Sequence, residues 1–227
     1  DILFIDEVHR LNKMVEEVLY PAMESGVIDI VIGKGPSARS VQLDLPAFTL
    51  IAATTRISLL SSPLRSRFSG GVFRLEFYTI EEISKIINRS AQILGINIPD
   101  EATKEIAVRS RKTPRTANYF LKRCRDYAQV NKSPLDKKSV REALSLLGVD
   151  EAVLNEVDRG ILKTMIEKFD GGPVGLSTLA AATSEEEGTI EEVIEPYLMQ
   201  EGFIERTPRG RIKTKRAYEH LSYDYKE

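Results

Sequence analysis

Two adjacent acids stand where a sheet would present chemistry. Asp6 and Glu7 follow the apolar run Ile2-Leu3-Phe4-Ile5, which reads as a buried strand, so both lie at its carboxyl end. Open α/β sheets bind ligands at that end of their strands. An ionised Asp6 can hold Mg²⁺ through its water shell there, and Glu7 can polarise an attacking water. A solvated strand end would carry the same dipeptide, and it is the four preceding apolar residues that favour a site. Thr54 and Thr55 end a second apolar run, residues 48–53, where a hydroxyl can bond a terminal phosphate or the attacking water. Threonine is also an ordinary strand residue. In Ser61-Ser62-Pro63-Leu64-Arg65-Ser66-Arg67-Phe68 the early proline marks a short helix bearing two arginines. Their guanidinium forks suit a phosphate, including one held by a neighbouring subunit, and would equally suit solvent.

Further along, Lys112-Thr113-Pro114-Arg115-Thr116 starts a helix among Arg109, Arg111, Lys122, Arg123 and Arg125. An arginine near a helix N-terminus meets anions beside free backbone amides, although most charge runs are solvated faces. Near the end, Arg206, Arg209, Arg211, Lys213, Lys215 and Arg216 fall in a stretch without an acid. Alternation about the Pro208-Arg209-Gly210 turn puts Arg211 and Lys213 on one face of a hairpin. Such a face suits phosphate contacts to a duplex, which bind without reading sequence. Protection of a sheet edge is the other use of basic strands, and six uninterrupted cations exceed what it needs.

The elements that must position these groups fall into three units. Residues 1–78 alternate strand, helix, hairpin and strand. Asn12 caps a helix carrying Met14, Val15, Val18, Leu19, Ala22 and Met23, bent near Pro21. Ile28, Ile30 and Ile32, a Gly33-Lys34-Gly35-Pro36 turn, then Val41, Leu43 and Leu45 make a β-hairpin. This order implies neighbouring parallel strands. Residues 79–149 are all-helical, opening on a Thr79/Glu82 capping box, with helices at 101–111, 116–130 and 137–147. Residues 150–227 give a helix to residue 169, helices near 177–182 and 189–200, then strands at 203–206 and 211–214, which is a winged helix-turn-helix pattern.

Composition bounds the alternatives. The 227 residues are 42% hydrophobic and 29% charged with net charge −2, an ordinary globular balance that excludes disorder. Neither a membrane-spanning run nor a signal-peptide pattern is present, and a reducing cytoplasm fits the single Cys124. Two histidines and one cysteine exclude a structural zinc cluster. The opening in mid-strand without Met reads as a fragment of a longer protein. No G-x-x-x-x-G-K-[ST] occurs, so the loop that cradles phosphates is not among these residues.

Leu3-Phe4-Ile5-Asp6-Glu7-Val8-His9-Arg10-Leu11, Ile32-Gly33-Lys34-Gly35-Pro36, Ala53-Thr54-Thr55-Arg56, Pro63 to Phe68 and Arg206-Thr207-Pro208-Arg209-Gly210-Arg211 together resemble the RuvB family of Holliday-junction branch-migration motors, over the whole chain. The resemblance implies a partial α/β AAA+ core, a parallel sheet with a β-hairpin insertion, followed by an all-α lid domain and a winged helix-turn-helix domain. It implies ATP and Mg²⁺ as cofactors, with Asp6 as the Mg²⁺-side acid, Glu7 as base, Thr54 and Thr55 as sensor, Arg67 as arginine finger and Arg115 as the lid's sensor arginine. Glu24, Ser25, Gly26 and Tyr78 match nucleotide-side positions. The hairpin, with Ile28, Ile30, Ile32, Val41 and Leu43, resembles an element that docks on RuvA, and Arg206, Arg209 and Arg211 a wing that contacts duplex DNA. A homo-hexameric ring on double-stranded DNA, with RuvC in a resolving complex, completes the implied assembly. Lys112 departs from the glycine usual before Thr-Pro-Arg, and Glu187 from a basic residue. Another AAA+ DNA-processing ATPase, such as a clamp loader, would share the acids and arginines but not the wing. A non-enzymatic winged-helix DNA-binding module would leave Asp6, Glu7 and Arg67 without purpose.

Overall fold

The computed structural model describes residues 1–33 and 39–225, so the turn expected at Lys34, Gly35 and Pro36 lies outside the described residues. The chain divides into two compact units, residues 1–75 and 76–227.

In the first unit, β1 (Ile2–Ile5) pairs in parallel with β4 (Thr49–Ala52), Ile5 opposite Ala52. Backbone bonds carry the ladder onward: Ala53 N–H donates to the Ile5 carbonyl at 2.9 Å and Val8 N–H to the Ala53 carbonyl at 3.0 Å. The expected parallel neighbours are thus present. Their expected burial is not: Ile2, Phe4 and Ile51 are 72%, 58% and 47% exposed, because a two-stranded sheet leaves its faces uncovered. Helix α1 (Lys13–Ser25) carries Pro21 and starts where the Asn12 side chain accepts from Val15 N–H. It ends at Gly26, whose φ of 69° is the left-handed conformation that glycine tolerates. Strands β2 (Val27–Ile32) and β3 (Arg39–Asp44) form the antiparallel hairpin, with Ile28 opposite Leu43 and Ile30 opposite Val41. Helix α2 (Ser62–Arg67) is capped by Ser61 and anchored by the buried Leu64.

In the second unit, α3 (Ile80–Ile93) begins on the Thr79/Glu82 capping box, with both reciprocal bonds formed. It packs with α4 (Asp100–Arg109), α5 (Pro114–Val130) and α6 (Lys137–Leu146) around Ile83, Ile87, Ile106, Leu121 and Leu144. The helix expected to run to residue 111 stops at Arg109, because Arg111 and Lys112 take φ of 52° and 55°. A second core of Ile161, Leu162, Met165, Leu198 and Phe203 joins α7 (Glu156–Phe169) and α8 (Leu176–Thr183) to a broken third helix. That helix is α9 (Glu187–Thr189), a π-helical stretch Ile190–Ile194 and α10 (Glu195–Gln200). The hairpin β5 (Ile204–Thr207) and β6 (Gly210–Lys213) follows, then α11 (Lys215–His220), which together give a winged helix-turn-helix. Gly210 sits at φ 138°, and a Cβ there would run into the Val174 carbonyl, so the wing's tight turn requires glycine.

No helix among the described residues is long and apolar enough to cross a membrane.

Candidate functional site

Parallel pairing of β1 with β4 brings the acids and the threonines to the same sheet edge. Asp6 is exposed, and its Oδ1 accepts Glu7 N–H at 3.0 Å. Glu7 has φ 48° and ψ 47°, a left-handed conformation that a non-glycine residue holds only at a cost of about 1–2 kcal/mol. The kink turns its carboxylate toward the end of β4, where Thr55 Oγ1 donates to Glu7 Oε2 at 3.3 Å. Thr54 Oγ1 accepts Arg56 N–H at 3.0 Å and lies 2.8 Å from His9 Nδ1. His9 also approaches Glu7 Oε2 at 3.2 Å.

These donors suit the chemistry expected of them. Mg²⁺ is commonly held by one or two carboxylates while keeping several waters and taking its other ligands from phosphates. A single exposed Asp6 fits that role, and among the described residues no cluster of three or more His, Cys, Asp or Glu side chains offers a self-sufficient metal cage.

Arg67 lies on the same unit with its guanidinium engaged. It pairs with Glu24 at 2.9 Å, donates to the Pro63 carbonyl at 2.8 Å and stacks over Tyr20, 4.3 Å from the ring centroid. Ser25 and Gly26 follow Glu24 directly at the end of α1, so three of the positions expected at the nucleotide and the arginine share one corner of the unit. Buried Glu16 accepts the hydroxyls of Ser61 and Tyr20 at 2.7 and 2.9 Å and so ties α2 to α1. Arg65 is exposed. On the second unit, Arg115 is exposed in the first turn of α5 and Tyr78 is exposed just before α3. The basic run around them is largely neutralised: Arg109 pairs with Glu105, and Arg123 and Arg125 with Asp126.

On the β2–β3 hairpin the register gathers Ile28, Ile30, Val41 and Leu43 on one face as directly opposed pairs. Ile30, Ile32, Val41 and Leu43 are 41–59% exposed, more apolar surface than a solvated hairpin needs.

The wing requires a correction. Arg211 and Lys213 do share a face of β6, but it is the inward one: both are buried. The Arg211 guanidinium bonds Glu195 Oε2 through Nε and NH2 at 3.1 and 2.9 Å, and Glu195 itself is buried. The charge of the buried acid draws the arginine in against the fold. Arg206 and Arg209 face outward. Arg206 also meets Glu191 at 3.0 Å and brings Nε to 3.0 Å from Glu195 Oε1, without hydrogen-bond alignment.

Four participants escape a reading of motifs. His9 lies inside a motif read only for its acids, and its partner Thr54 is distant in sequence. Tyr20 stacks on Arg67 across the unit. Glu191 and Glu195 stand one helical turn apart, a spacing that could have marked them as one acidic face opposed to a basic hairpin.

Comparison with known proteins agrees along the whole chain. Residues 1–75 match the family model for the Holliday junction DNA helicase RuvB P-loop domain, 78–150 that for the RuvB AAA lid domain, and 151–222 that for the RuvB C-terminal winged helix domain. The Holliday junction branch migration complex subunit RuvB of Thermomicrobium roseum is 60% identical over all of this chain and 64% of its own length. The Chloroflexus aurantiacus subunit is 58% identical, over all of this chain and 65% of its own length. The chain therefore spans just under two thirds of these curated relatives. The solved structure of the Thermotoga maritima RuvB Holliday junction branch migration motor superposes with a TM-score of 0.85 at 49% identity, covering all of this chain and 71% of that one.

Proposed function

The chain belongs to the RuvB family, and from that premise we propose that the complete protein is an ATP-driven motor for branch migration of Holliday junctions in recombination and repair. It works in the cytoplasm as a hexameric ring on double-stranded DNA, docked on RuvA and joined by RuvC in the resolving complex. The observation that carries this reading is the meeting of Glu7 and Thr55 at the ends of two parallel strands, beside the exposed Asp6.

ATP, bound with Mg²⁺, supplies the phosphoryl group whose cleavage drives the motor. Asp6 would hold Mg²⁺ through its water shell, and Glu7 takes the proton of the attacking water. Thr54 offers its hydroxyl to the terminal phosphate, while Thr55 keeps its own on Glu7. Arg67 serves the nucleotide of a neighbouring subunit, where its charge offsets that of the transition state. Arg115 reports the nucleotide to the lid, and Glu24, Ser25, Gly26 and Tyr78 line the nucleotide. The apolar face of Ile28, Ile30, Val41 and Leu43, with Ile32, meets RuvA. Arg206 and Arg209 meet DNA phosphates, with Arg211 behind them. The 227 residues alone do not turn over ATP, because they contain no backbone cradle and lysine for its phosphates.

In the complete protein, Glu7→Gln should bind ATP yet lose both hydrolysis and migration of a four-way junction. Turnover at the wild-type rate in that variant would overturn the reading.

A further inference from the structure

His9 stands between the base and the sensor. Its side chain is 9% exposed, and a single ring atom, Nδ1, lies 2.8 Å from Thr54 Oγ1 and 3.2 Å from Glu7 Oε2. The ring is held there by the backbone. The left-handed Glu7 leads into a 3₁₀ turn, Val8–Arg10, whose first N–H is fixed to the Ala53 carbonyl, and Val8 is buried beneath it.

The hydrogen-bonding inventory limits what this nitrogen can do. An ionised carboxylate only accepts, so Nδ1 must carry its proton to bond Glu7. In that tautomer the N–H is directed at Thr54 Oγ1, and Glu7 Oε2 lies beside this bond at 3.2 Å without hydrogen-bond alignment. With the proton on Nε2 instead, Nδ1 accepts the Thr54 hydroxyl and its lone pair faces the carboxylate, which removes the ring's attraction for Glu7. The ring thus links the threonine hydroxyl to the orientation of the base.

We propose that His9 is a positioning residue for ATP hydrolysis. The Thr55 hydroxyl holds Glu7 Oε2, leaving Oε1 to meet the attacking water, and when Thr54 turns to a phosphate the His9 Nδ1–H, already 3.2 Å from Glu7 Oε2, takes that carboxylate as its acceptor. The proposal rests on Glu7 being the water-activating base. A buried histidine serving the fold alone would have no need of Nδ1 in particular, and that difference can be tested.

In the complete protein, His9→Ala should lower kcat about 10- to 100-fold, the scale expected for a misplaced general base, with the KM for ATP nearly unchanged. The decisive comparison is His9→Asn against His9→Gln. Asparagine places an amide nitrogen where Nδ1 stands, whereas glutamine places one near Nε2. His9→Asn should recover most of the turnover and His9→Gln should not, at equal thermal midpoints. Equal activity of these two variants, or wild-type kcat in His9→Ala, overturns the proposal. Glu7→Gln is assayed alongside. If it turns over ATP normally, the reading of Glu7 itself fails. If it is inactive while the His9 variants are unimpaired, only the inference about His9 fails.

Discussion

Arg111 of the helical lid closes an ion pair on Asp158, a fully buried acid in the first turn of the winged-helix unit. The same guanidinium donates to the Val153 carbonyl at 3.1 Å and stacks over Tyr197, whose ring centroid is 4.2 Å away. Tyr197 in turn packs against both cores and donates its hydroxyl to the Ala152 carbonyl at 3.2 Å. Arg111 therefore joins lid and winged helix four residues before Arg115. Burial pushes the Asp158 carboxyl above its usual 3.8, against the pull of the Asn155 amide and of Arg111. Removing the arginine leaves a buried charge unpaired, which costs about 3–5 kcal/mol. Arg111→Met should lose that much in urea unfolding followed by circular dichroism, and Arg111→Met with Asp158→Asn should regain most of it. The sign with pH follows from the raised carboxyl. Its neutral form favours the fold fully below 3.8, and that contribution is lost as pH rises through the folded value. The single variant's deficit should accordingly shrink on mild acidification, and a deficit that ignores pH would remove Asp158 from the account.

Lys112 follows Arg111 in the same left-handed conformation, φ 55°. A side chain costs about 1–2 kcal/mol there relative to the right-handed region, whereas glycine adopts it freely but gains entropy when unfolded. Lys112→Gly should therefore raise stability by ~0.5–1 kcal/mol, read as a higher urea midpoint with unchanged slope. A lower midpoint would mean that the lysine side chain makes a stabilising contact of its own.

Elements with local causes were legible in the sequence. Asn12 and Thr79 cap the helices they were expected to cap, and the apolar runs at residues 2–5 and 48–53 became paired parallel strands. What escaped was set by distant partners. Nothing local in Arg111 and Lys112 signals positive φ; the turn there lets Arg111 reach Asp158. Alternation put Arg211 and Lys213 on one face, but a period of two cannot say which face is inward. Glu195, on another element, decides it.

Arg67 is held by Glu24 at 2.9 Å and by the Tyr20 ring, so an arginine that serves a neighbouring subunit must exchange this partner for a phosphate. In a mixture of complete subunits, Arg67→Ala blended with Glu7→Gln should regain ATPase activity at mixed interfaces. Each variant supplies there what the other lacks. Activity that only follows dilution would place Arg67 in its own subunit's site. Glu24→Gln tests the exchange: with the resting pair loosened, hydrolysis at saturating ATP should be at least as fast as in the wild type, and a slower rate would mean that the pair itself is needed.

The wing separates two kinds of arginine. Arg209 is exposed at the turn, while the Arg211 side chain is 11% exposed and bound to a buried glutamate. A motor that travels along any sequence cannot depend on base edges, so an outward arginine should meet phosphates. Each phosphate neutralised in this way adds about 0.9 to the slope of log affinity against log salt. Arg209→Ala in the complete protein should weaken binding equally on two duplexes of unrelated sequence and flatten that slope by roughly 0.9 for every phosphate left unneutralised, at an unchanged thermal midpoint. Arg211→Ala should instead lower the midpoint, since it leaves the buried Glu195 with only the half-exposed, poorly aligned Arg206, at a cost of up to about 3 kcal/mol. Pairing Arg211→Met with Glu195→Gln should restore the midpoint and, with it, most of the DNA affinity. If the restored double variant still bound DNA as weakly as Arg211→Ala, Arg211 would itself be a phosphate ligand, reaching the duplex by leaving Glu195.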